Sequence, residues 1–192
     1  QKTRELIIES ARVLFNRHGF EGVTINMVME SAGLTHGGFY NHFKNKEALF
    51  SAAVASFLMG RGLEWRTDAG VTADCPPGDM AHNMLNSYLS PGHLGDIDGQ
   101  CPLIALSSDV SRAKPEVQAA YQTLLEAMVG LYEHSVSAQN GEQASNRQTA
   151  LTLAALSVGG MILARTLPDS NLAEDVRSAA LASALGMVGK VT

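Results

Sequence analysis

The chain has 192 residues, of which 45% are hydrophobic and 17% charged, a balance that excludes a disordered chain. Its formal net charge of −5 is low for a nucleic-acid-binding protein, and two cysteines, Cys75 and Cys101, exclude a disulfide framework or a zinc set. Aromatic residues make up 6%, and few β-branched residues alternate, so the composition predicts an all-α fold.

The first predicted helix covers residues 3–18, where apolar and small residues recur at helical spacing and define a core-facing stripe. The stripe consists of Leu6, Ile7, Ser10, Ala11, Leu14 and Phe15. Four basic residues lie off it: Lys2, Arg4, Arg12 and Arg17. His18 and Gly19 end the helix, and Phe20 folds back onto a small core.

Residues 24–43 predict a helix-turn-helix, in which the second helix enters the major groove of DNA. Thr24 and Thr35 are suitable helix caps, and Gly33 is suited to a left-handed helix end. Phe39 and Phe43, four residues apart, mark the buried side of the second helix. The other side has His36, Tyr40 and Asn41.

The second helix, residues 35–43, has an alternative interpretation as a loop. Gly37 and Gly38 each cost a helix about 1 kcal/mol relative to Ala. In the functional interpretation, the glycines let the backbone approach the groove wall, and packing of Phe39 and Phe43 enforces the helix.

The charge is distributed unevenly along the chain. Residues 1–50 contain six Lys/Arg against five Asp/Glu and three histidines, whereas the remainder contains eight against fourteen. The acidic excess therefore lies outside the predicted DNA-binding segment, and local charge must provide the phosphate contacts.

Two segments carry a family resemblance: Phe15-Asn-Arg-His-Gly-Phe-Glu-Gly-Val-Thr24 and Ala32-Gly-Leu-Thr-His-Gly-Gly-Phe-Tyr-Asn-His-Phe-Lys-Asn-Lys-Glu-Ala-Leu49. They resemble the N-terminal domain of TetR-family transcriptional regulators. The resemblance implies a three-helix DNA-binding domain in residues 1–50 and a helical effector-binding and dimerisation domain in residues 51–192. It also implies a homodimeric repressor that binds a palindromic operator in double-stranded DNA and is released by a small-molecule effector. Met29 departs from the family, which often has Ala there.

The expected DNA contacts combine the resemblance with local chemistry. Asn45 caps the next helix and Lys46 occupies its first position, where helix starts attract anions. The resemblance likewise places Lys46 against a phosphate. The full set is Thr24, Thr35, His36, Gly37, Gly38, Tyr40, Asn41, His42 and Lys46.

The rest of the chain is predicted to be helical, with two loops. One long helix covers residues 46–67, residues 68–78 form an unstructured connection, and Asp79 caps the next helix. A second loop covers residues 90–99. The predicted body helices are residues 102–113, 115–140, 143–166 (ended by Pro168 and Asp169) and 171–188.

The last two helices resemble the four-helix dimer interface of the same family. Residues 143–166 are apolar around most of the helix circumference, which requires burial on more than one side. An intrachain core is the alternative.

An effector pocket is expected between body helices. Its apolar walls, with a few polar groups at the ends of side chains, suit a small, apolar effector. Each of the residues concerned has an equally good interpretation as ordinary core. They are Phe57, Trp65, Met84, Tyr88, Leu106, Tyr121, Leu125 and Met128.

Cys101 supports a second hypothesis, that of a thiol sensor of oxidants or electrophiles, because its segment resembles one TetR subgroup that senses through a cysteine. A thiol before a helix start feels amide dipoles that favour the thiolate. Three carboxylates nearby in sequence disfavour the thiolate: those of Asp96, Asp98 and Asp109. The alternative interpretation of Cys101 is a buried structural cysteine.

No phosphate loop, nucleophile elbow or metal-spaced cluster is present, so neither catalysis nor a metal or cofactor is expected. No uninterrupted apolar run reaches the length of a bilayer, so a cytoplasmic protein is expected. The alternative to a DNA-binding regulator is a helical ligand-binding protein that uses the helix-turn-helix only for packing.

Overall fold

The computed structural model describes residues 1–141, 143–167 and 170–188. Every regular element in these ranges is helical, which confirms the all-α prediction. Two of them are short 3-10 helices, His36–Asn41 and Pro77–Asp79. The α-helices are α1 Lys2–His18, α2 Ile25–Ser31, α3 Lys46–Ser56, α4 Arg61–Asp68, α5 Met80–Tyr88, α6 Pro91–Gly95, α7 Pro102–Ala105, α8 Ser107–Val110, α9 Pro115–Asn140, α10 Ala144–Arg165 and α11 Asn171–Met187.

By its contacts the chain divides into two compact units. The first unit contains Gln1–Arg61 and Ile97–Leu124, and the second contains Gly62–Asp96 and Leu125–Thr192. Residues 97–124 therefore pack with the N-terminal helices, which sequence periodicity does not reveal. The functional division into residues 1–50 and 51–192 stays a prediction.

The core of the first unit is built around α1, with aromatic rings from three neighbouring segments. The Phe15 and Phe50 ring centroids lie 4.8 Å apart, and Phe20 lies 4.9 Å from Phe50. Leu106, Val110 and Val117 complete this core from the distant segment.

The stripe predicted for α1 needs two corrections. Leu6 is 48% exposed, and the buried apolar positions are Ile7, Ile8, Ala11 and Phe15. Arg12, which lies off the predicted stripe, is buried because its guanidinium donates to the backbone carbonyl of Asp98 and to the Glu9 carboxylate. Pattern reading assigns such a residue to the surface because it cannot anticipate a tertiary acceptor.

The single helix predicted over residues 46–67 is wrong. The structure has α3 and α4 with a turn at residues 57–60, where Met59 is 72% exposed. Gly60 and Gly62 lower the helix propensity at this point. A Cβ on Gly60 would also lie 2.9 Å from the Ser56 carbonyl oxygen, so the turn favours glycine.

The segment 90–113 differs from prediction at two places. The predicted loop contains α6, which starts at Pro91 and is capped by Ser90, whose Oγ accepts from the His93 amide at 3.0 Å. The helix predicted over residues 102–113 is divided at Leu106, whose φ of −124° is not helical. Ser107, Ser108 and Asp109 follow, and such residues favour caps and turns over helix interiors.

The second unit is held by α9, α10 and α11 together with α5. Asp79 was predicted to cap α5, but its side chain makes no capping bond. Ser135 of α9 replaces it, since its Oγ accepts from the Ala81 amide at 2.9 Å. The Tyr132 and Ser157 hydroxyls lie 3.1 Å apart and join α9 to α10.

The long helices α9, α10 and α11 confirm their predicted ranges to within a residue or two. Gly141, with φ +73°, follows α9 as a left-handed stop. The predicted end of α10 at Pro168 and Asp169 lies outside the described residues.

One described helix, α10, is long and apolar enough to cross a membrane by length and composition alone. The core helix of a globular protein passes the same test, and α10 packs extensively against α11.

Candidate nucleic-acid interface

Helix α2 and the turn after it are fixed by local hydrogen bonds. Thr24 Oγ1 accepts from the Met27 amide at 3.2 Å, which confirms the predicted N-cap. Gly33 has φ +68°, and the Leu34 amide donates to the Met29 carbonyl at 2.8 Å. A left-handed glycine with this bond ends a helix and turns the chain sharply, as predicted.

The next element is the short 3-10 helix His36–Asn41, called here the 36–41 helix. A helix rather than a loop was predicted correctly, but the predicted range 35–43 is too long and Thr35 provides no side-chain cap. Two consecutive glycines and the missing cap explain why only a tight, short helix forms.

Two phenylalanines hold the 36–41 helix on the protein. Phe39 is 0% and Phe43 5% exposed, and their ring centroids lie 5.8 Å apart. The His42 and Phe43 amides both donate to the Phe39 carbonyl, at 2.9 and 3.0 Å. The buried side is thereby fixed without help from intrinsic helix propensity.

The opposite side of the same helix is open. Tyr40 is 60% exposed, and its ring stands perpendicular to that of Phe39 at 5.2 Å. His36 and Asn41 are also exposed, and the rings of His36 and Tyr40 are 6.0 Å apart. A Cβ on Gly37 would meet nothing within 4 Å. Polar side chains and bare backbone therefore share one accessible edge.

The remaining predicted contact residues border this edge in sequence. Thr24 and Thr35 are exposed, whereas Gly38 and His42 are half-buried. Asn45 caps α3 as predicted, with Oδ1 accepting from the Ala48 amide at 2.8 Å.

Lys46 is held by the protein itself. Its Nζ donates to the carbonyl oxygens of Phe20 at 2.8 Å and Val23 at 2.9 Å. The same ammonium lies 4.1 Å from the centroid of the Phe20 ring. Two of its three hydrogens are thereby used to fix the turn between α1 and α2.

Arg4 is a candidate that the sequence analysis missed. Its Cζ lies 4.8 Å from the centroid of the Phe43 ring, at the end of the 36–41 helix. Its only sequence signal is a position off the α1 stripe, which many surface residues share. The contact is tertiary and appears only when α1 and the 36–41 helix are placed together.

The predicted effector-pocket residues fall in both units. Phe57, Leu106 and Tyr121 belong to the first, and Trp65, Met84, Tyr88, Leu125 and Met128 to the second. In the first unit, Leu106 and Tyr121 pack in the core around α1. Tyr121 Oη donates to the Leu103 carbonyl at 2.9 Å, and burial, with a smaller effect of Cys101, raises the pKa of Tyr121 to about 12.

In the second unit an aromatic cluster joins two of those residues to a histidine. The His93 ring lies 3.7 Å from Trp65 and 4.7 Å from Tyr88, centroid to centroid, and His93 is 1% exposed. Its Nδ1 donates to the Tyr88 carbonyl at 2.8 Å. No local sequence pattern reveals this cluster, because the partners of His93 are distant along the chain or on a neighbouring helix.

A groove of about 570 Å³ lies on the second unit at the ends of α9 and α10. It contains none of the predicted pocket residues and is bordered by Gly130, Glu133, His134, Ser137, Gln143 and Ala144.

Cys101 immediately precedes α7 and is 1% exposed. Asp98, expected to oppose a thiolate there, instead pairs with Arg17, whose Nη2 lies 2.6 Å from Oδ2. The Arg17 hydrogen bond lowers the pKa of Asp98. The sensing role of Cys101 stays a prediction.

Comparison with known proteins places the strongest likeness at the N-terminus. The family "Bacterial regulatory proteins, tetR family" matches residues 7–53. The repressor AcnR of Corynebacterium efficiens is 42% identical over 50 residues, which cover 26% of this chain and 27% of AcnR. The Transposon Tn10 TetC protein of Escherichia coli is 42% identical over 59 residues, so the match spans 31% of this chain and 30% of that relative.

Solved structures show a likeness in fold over nearly the whole chain. Escherichia coli NemR in its reduced form has a TM-score of 0.79 at 19% identity, with full coverage of both chains. The complex of SmeT with triclosan has a TM-score of 0.68 at 23% identity and covers 99% of this chain and 93% of SmeT. At these identities the likeness establishes the fold.

Proposed function

We propose that this chain, a transcriptional regulator of the TetR family, is a homodimeric repressor that a small-molecule effector releases from its operator. It binds double-stranded DNA through α2 and the 36–41 helix. It acts in the cytoplasm and catalyses no reaction.

The accessible edge of the 36–41 helix carries this proposal. Its buried side is fixed by Phe39 and Phe43, while Tyr40 and its neighbours project freely from the protein. Packing accounts for the buried side, and it leaves hydrogen-bonding side chains and bare glycine backbone exposed together on the other side. A major groove accepts both, since side chains reach base edges and backbone amides reach phosphates.

The contact residues divide by chemistry. His36, Asn41 and Thr35 have donors and acceptors for base edges, whereas Thr24, Tyr40 and His42 are placed for the phosphate backbone. Gly37 and Gly38 allow close approach. Lys46 uses its third ammonium hydrogen for a phosphate, while the other two hold the turn at Phe20 and Val23.

The homodimer forms through α10 and α11. These helices leave large apolar side chains in water in the single chain: Leu151 is 43%, Leu163 55%, Leu172 57% and Met187 38% exposed. At about 25 cal/mol per Å² of apolar surface, covering them favours association. Two copies would place two 36–41 helices on the half-sites of a palindrome.

Release by an effector follows from linkage. An effector that binds better to the conformation unsuited to DNA weakens DNA binding, and DNA weakens effector binding by the same factor. We assign the effector site to the body helices of the second unit, with apolar walls drawn from the predicted residues that lie there: Trp65, Met84, Tyr88, Leu125 and Met128. The fold likeness to SmeT, solved with triclosan, supports an apolar effector of small size.

The substitution Tyr40→Ala tests the proposal. Because Tyr40 is 60% exposed, its loss leaves the Tm unchanged. Affinity for every duplex falls about thirtyfold, since the dimer loses one hydrogen bond of about 1 kcal/mol in each copy. The measurement is a fluorescence-anisotropy titration at low salt with labelled DNA from the region flanking the gene.

Met59→Ala is the matched control, as Met59 is a large side chain that is 72% exposed and lies outside the proposed interface. It should bind DNA like the wild type. No binding of DNA by the wild type at low salt would favour the rival class, a helical ligand-binding protein.

A further inference from the structure

We infer that Arg4 is a phosphate-binding residue of the DNA interface, held in position by the ring of Phe43. The inference rests on the proposed DNA-binding function and adds a contact from α1, outside the helix-turn-helix.

The contact is between a flexible cation and a fixed ring. Arg4 Cζ lies 4.8 Å from the Phe43 centroid. Phe43 is 5% exposed, packs on Phe39, and donates its amide to the Phe39 carbonyl at 3.0 Å. The ring is therefore a fixed part of the core that supports the 36–41 helix, and Arg4 lies just beyond the end of that helix.

The backbone of Arg4 is fixed as well. Arg4 lies one turn before Ile7 and Ile8 of α1, which are buried in the core of the first unit together with Ala11. Packed elements thus fix both the backbone of Arg4 and the Phe43 ring beneath its guanidinium. An exposed arginine held at both ends loses less rotamer freedom when it binds.

A guanidinium on an aromatic face keeps its N–H groups available at its edge. Stacking uses the planar face of the cation, and the donors in the plane match the oxygens of a phosphate in a bidentate geometry. Beside the 36–41 helix, the anion that this head group meets is the phosphate backbone of the bound duplex.

The fold itself does not explain the charge of Arg4. Within residues 1–141, 143–167 and 170–188, no carboxylate forms an ion pair with it. It lies in the first turn of α1, where a cation opposes the helix dipole. Other arginines of the unit, such as Arg12 and Arg17, are paired with acids.

The test is a salt titration of DNA binding for Arg4→Gln and Arg4→Lys. The probes are a mixed-sequence duplex of about three helical turns and a duplex of equal length from the DNA flanking the gene. The slope of log K against log salt reports how many phosphates are neutralised. Because the dimer contains two copies of Arg4, Arg4→Gln should make the slope shallower by about 1.8 and lower the affinity about sixtyfold at roughly 0.1 M salt, equally on both duplexes.

Arg4→Lys should keep the slope, because the charge remains, and lose part of the affinity, because an ammonium lacks the planar fork. Arg112→Gln is the matched control. Arg112 is an exposed cation beside Asp109, which approaches Gly19 at the other end of α1. It should behave like the wild type, and all variants should keep the wild-type Tm.

A wild-type slope for folded Arg4→Gln would overturn this inference and leave the proposed function standing. An equal loss of slope in Arg112→Gln would also overturn it, since the effect would be one of overall charge. Absence of salt-dependent binding by the wild type would overturn the proposed function and the inference together.

Discussion

Lys46 illustrates how one side chain can satisfy two requirements at the scale of a residue. Its position at the start of α3 was predictable from the Asn45 cap, and local chemistry alone pointed to an anion. The structure adds the carbonyls of Phe20 and Val23 as acceptors, more than twenty residues earlier in the chain. Sequence reasoning could not find them, because a turn carbonyl has no residue-type signature.

A second residue-scale feature ties α1 to the segment before α7. The Arg12 guanidinium joins the Glu9 carboxylate to the Asp98 carbonyl. Asn16 Nδ2 donates to the carbonyls of Asp98 at 3.1 Å and Gln100 at 2.9 Å. With Arg17 included, three side chains of α1 thus hold residues 98–100.

This cluster predicts how stability depends on pH. The hydrogen bond from Arg12 lowers the pKa of Glu9 from its ordinary value of 4.5. A lowered carboxyl pKa stabilises the folded state above the ordinary value, and this stabilisation is lost as the pH falls through the folded pKa. Glu9→Gln should therefore have a lower Tm than the wild type at neutral pH and the same Tm well below pH 4.5.

The Glu9 side chain is 60% exposed, so solvent screening limits its contribution to less than about 1 kcal/mol and the Tm difference to about 2–4 °C. Glu21→Gln, an exposed acid in the turn after α1, is the control and should match the wild type at every pH. A Tm difference for Glu9→Gln that persists at the lowest pH would contradict this account. Differential scanning calorimetry across the pH range measures both.

At the scale of the element, long helices with a sustained apolar period were predicted well, and their interruptions were not. α9 and α11 follow their patterns closely, because packing and pattern agree along their length. The breaks at residues 57–60 and at Leu106 follow from glycine placement and from tertiary packing of a single side chain. The 36–41 helix depends on Phe39 and Phe43, so its existence was predictable and its tight geometry was not.

The packing of α10 on α11 provides an element-scale prediction. A Cβ on Gly160 would lie 2.6 Å from the Ala180 Cβ and 3.4 Å from Leu89 Cδ2. Gly160→Ala should therefore destabilise the protein by about 1–3 kcal/mol, despite the higher helix propensity of alanine. The measurement is the free energy of unfolding in urea.

Gly130→Ala is its matched control, since Gly130 is an exposed position within α9 where an added Cβ meets nothing within 4 Å. Its free energy of unfolding should rise by up to about 1 kcal/mol from helix propensity. Equal stabilisation by both substitutions would refute the close packing of α10 and α11.

At the scale of the whole molecule, the N-terminal helices and residues 97–124 form one unit. Family resemblance over the first fifty residues predicted the helix-turn-helix. The periodicity of the last helices predicted their ranges and their apolar faces. Neither could place Leu106, Val110 and Val117 in the core around Phe15, because a contact between residues some ninety positions apart leaves no local pattern. For the same reason, the predicted pocket residues Leu106 and Tyr121 proved to be core residues of the first unit.

The central claim is that two 36–41 helices, one from each copy of a dimer, bind one DNA site. Hydroxyl-radical footprinting of the DNA flanking the gene tests it most directly. The account predicts two protected patches related by a palindrome and separated by about one helical turn or a multiple of it. Both should require about thirtyfold more protein with Tyr40→Ala. A single protected patch, or two patches that persist unchanged in Tyr40→Ala, would contradict it.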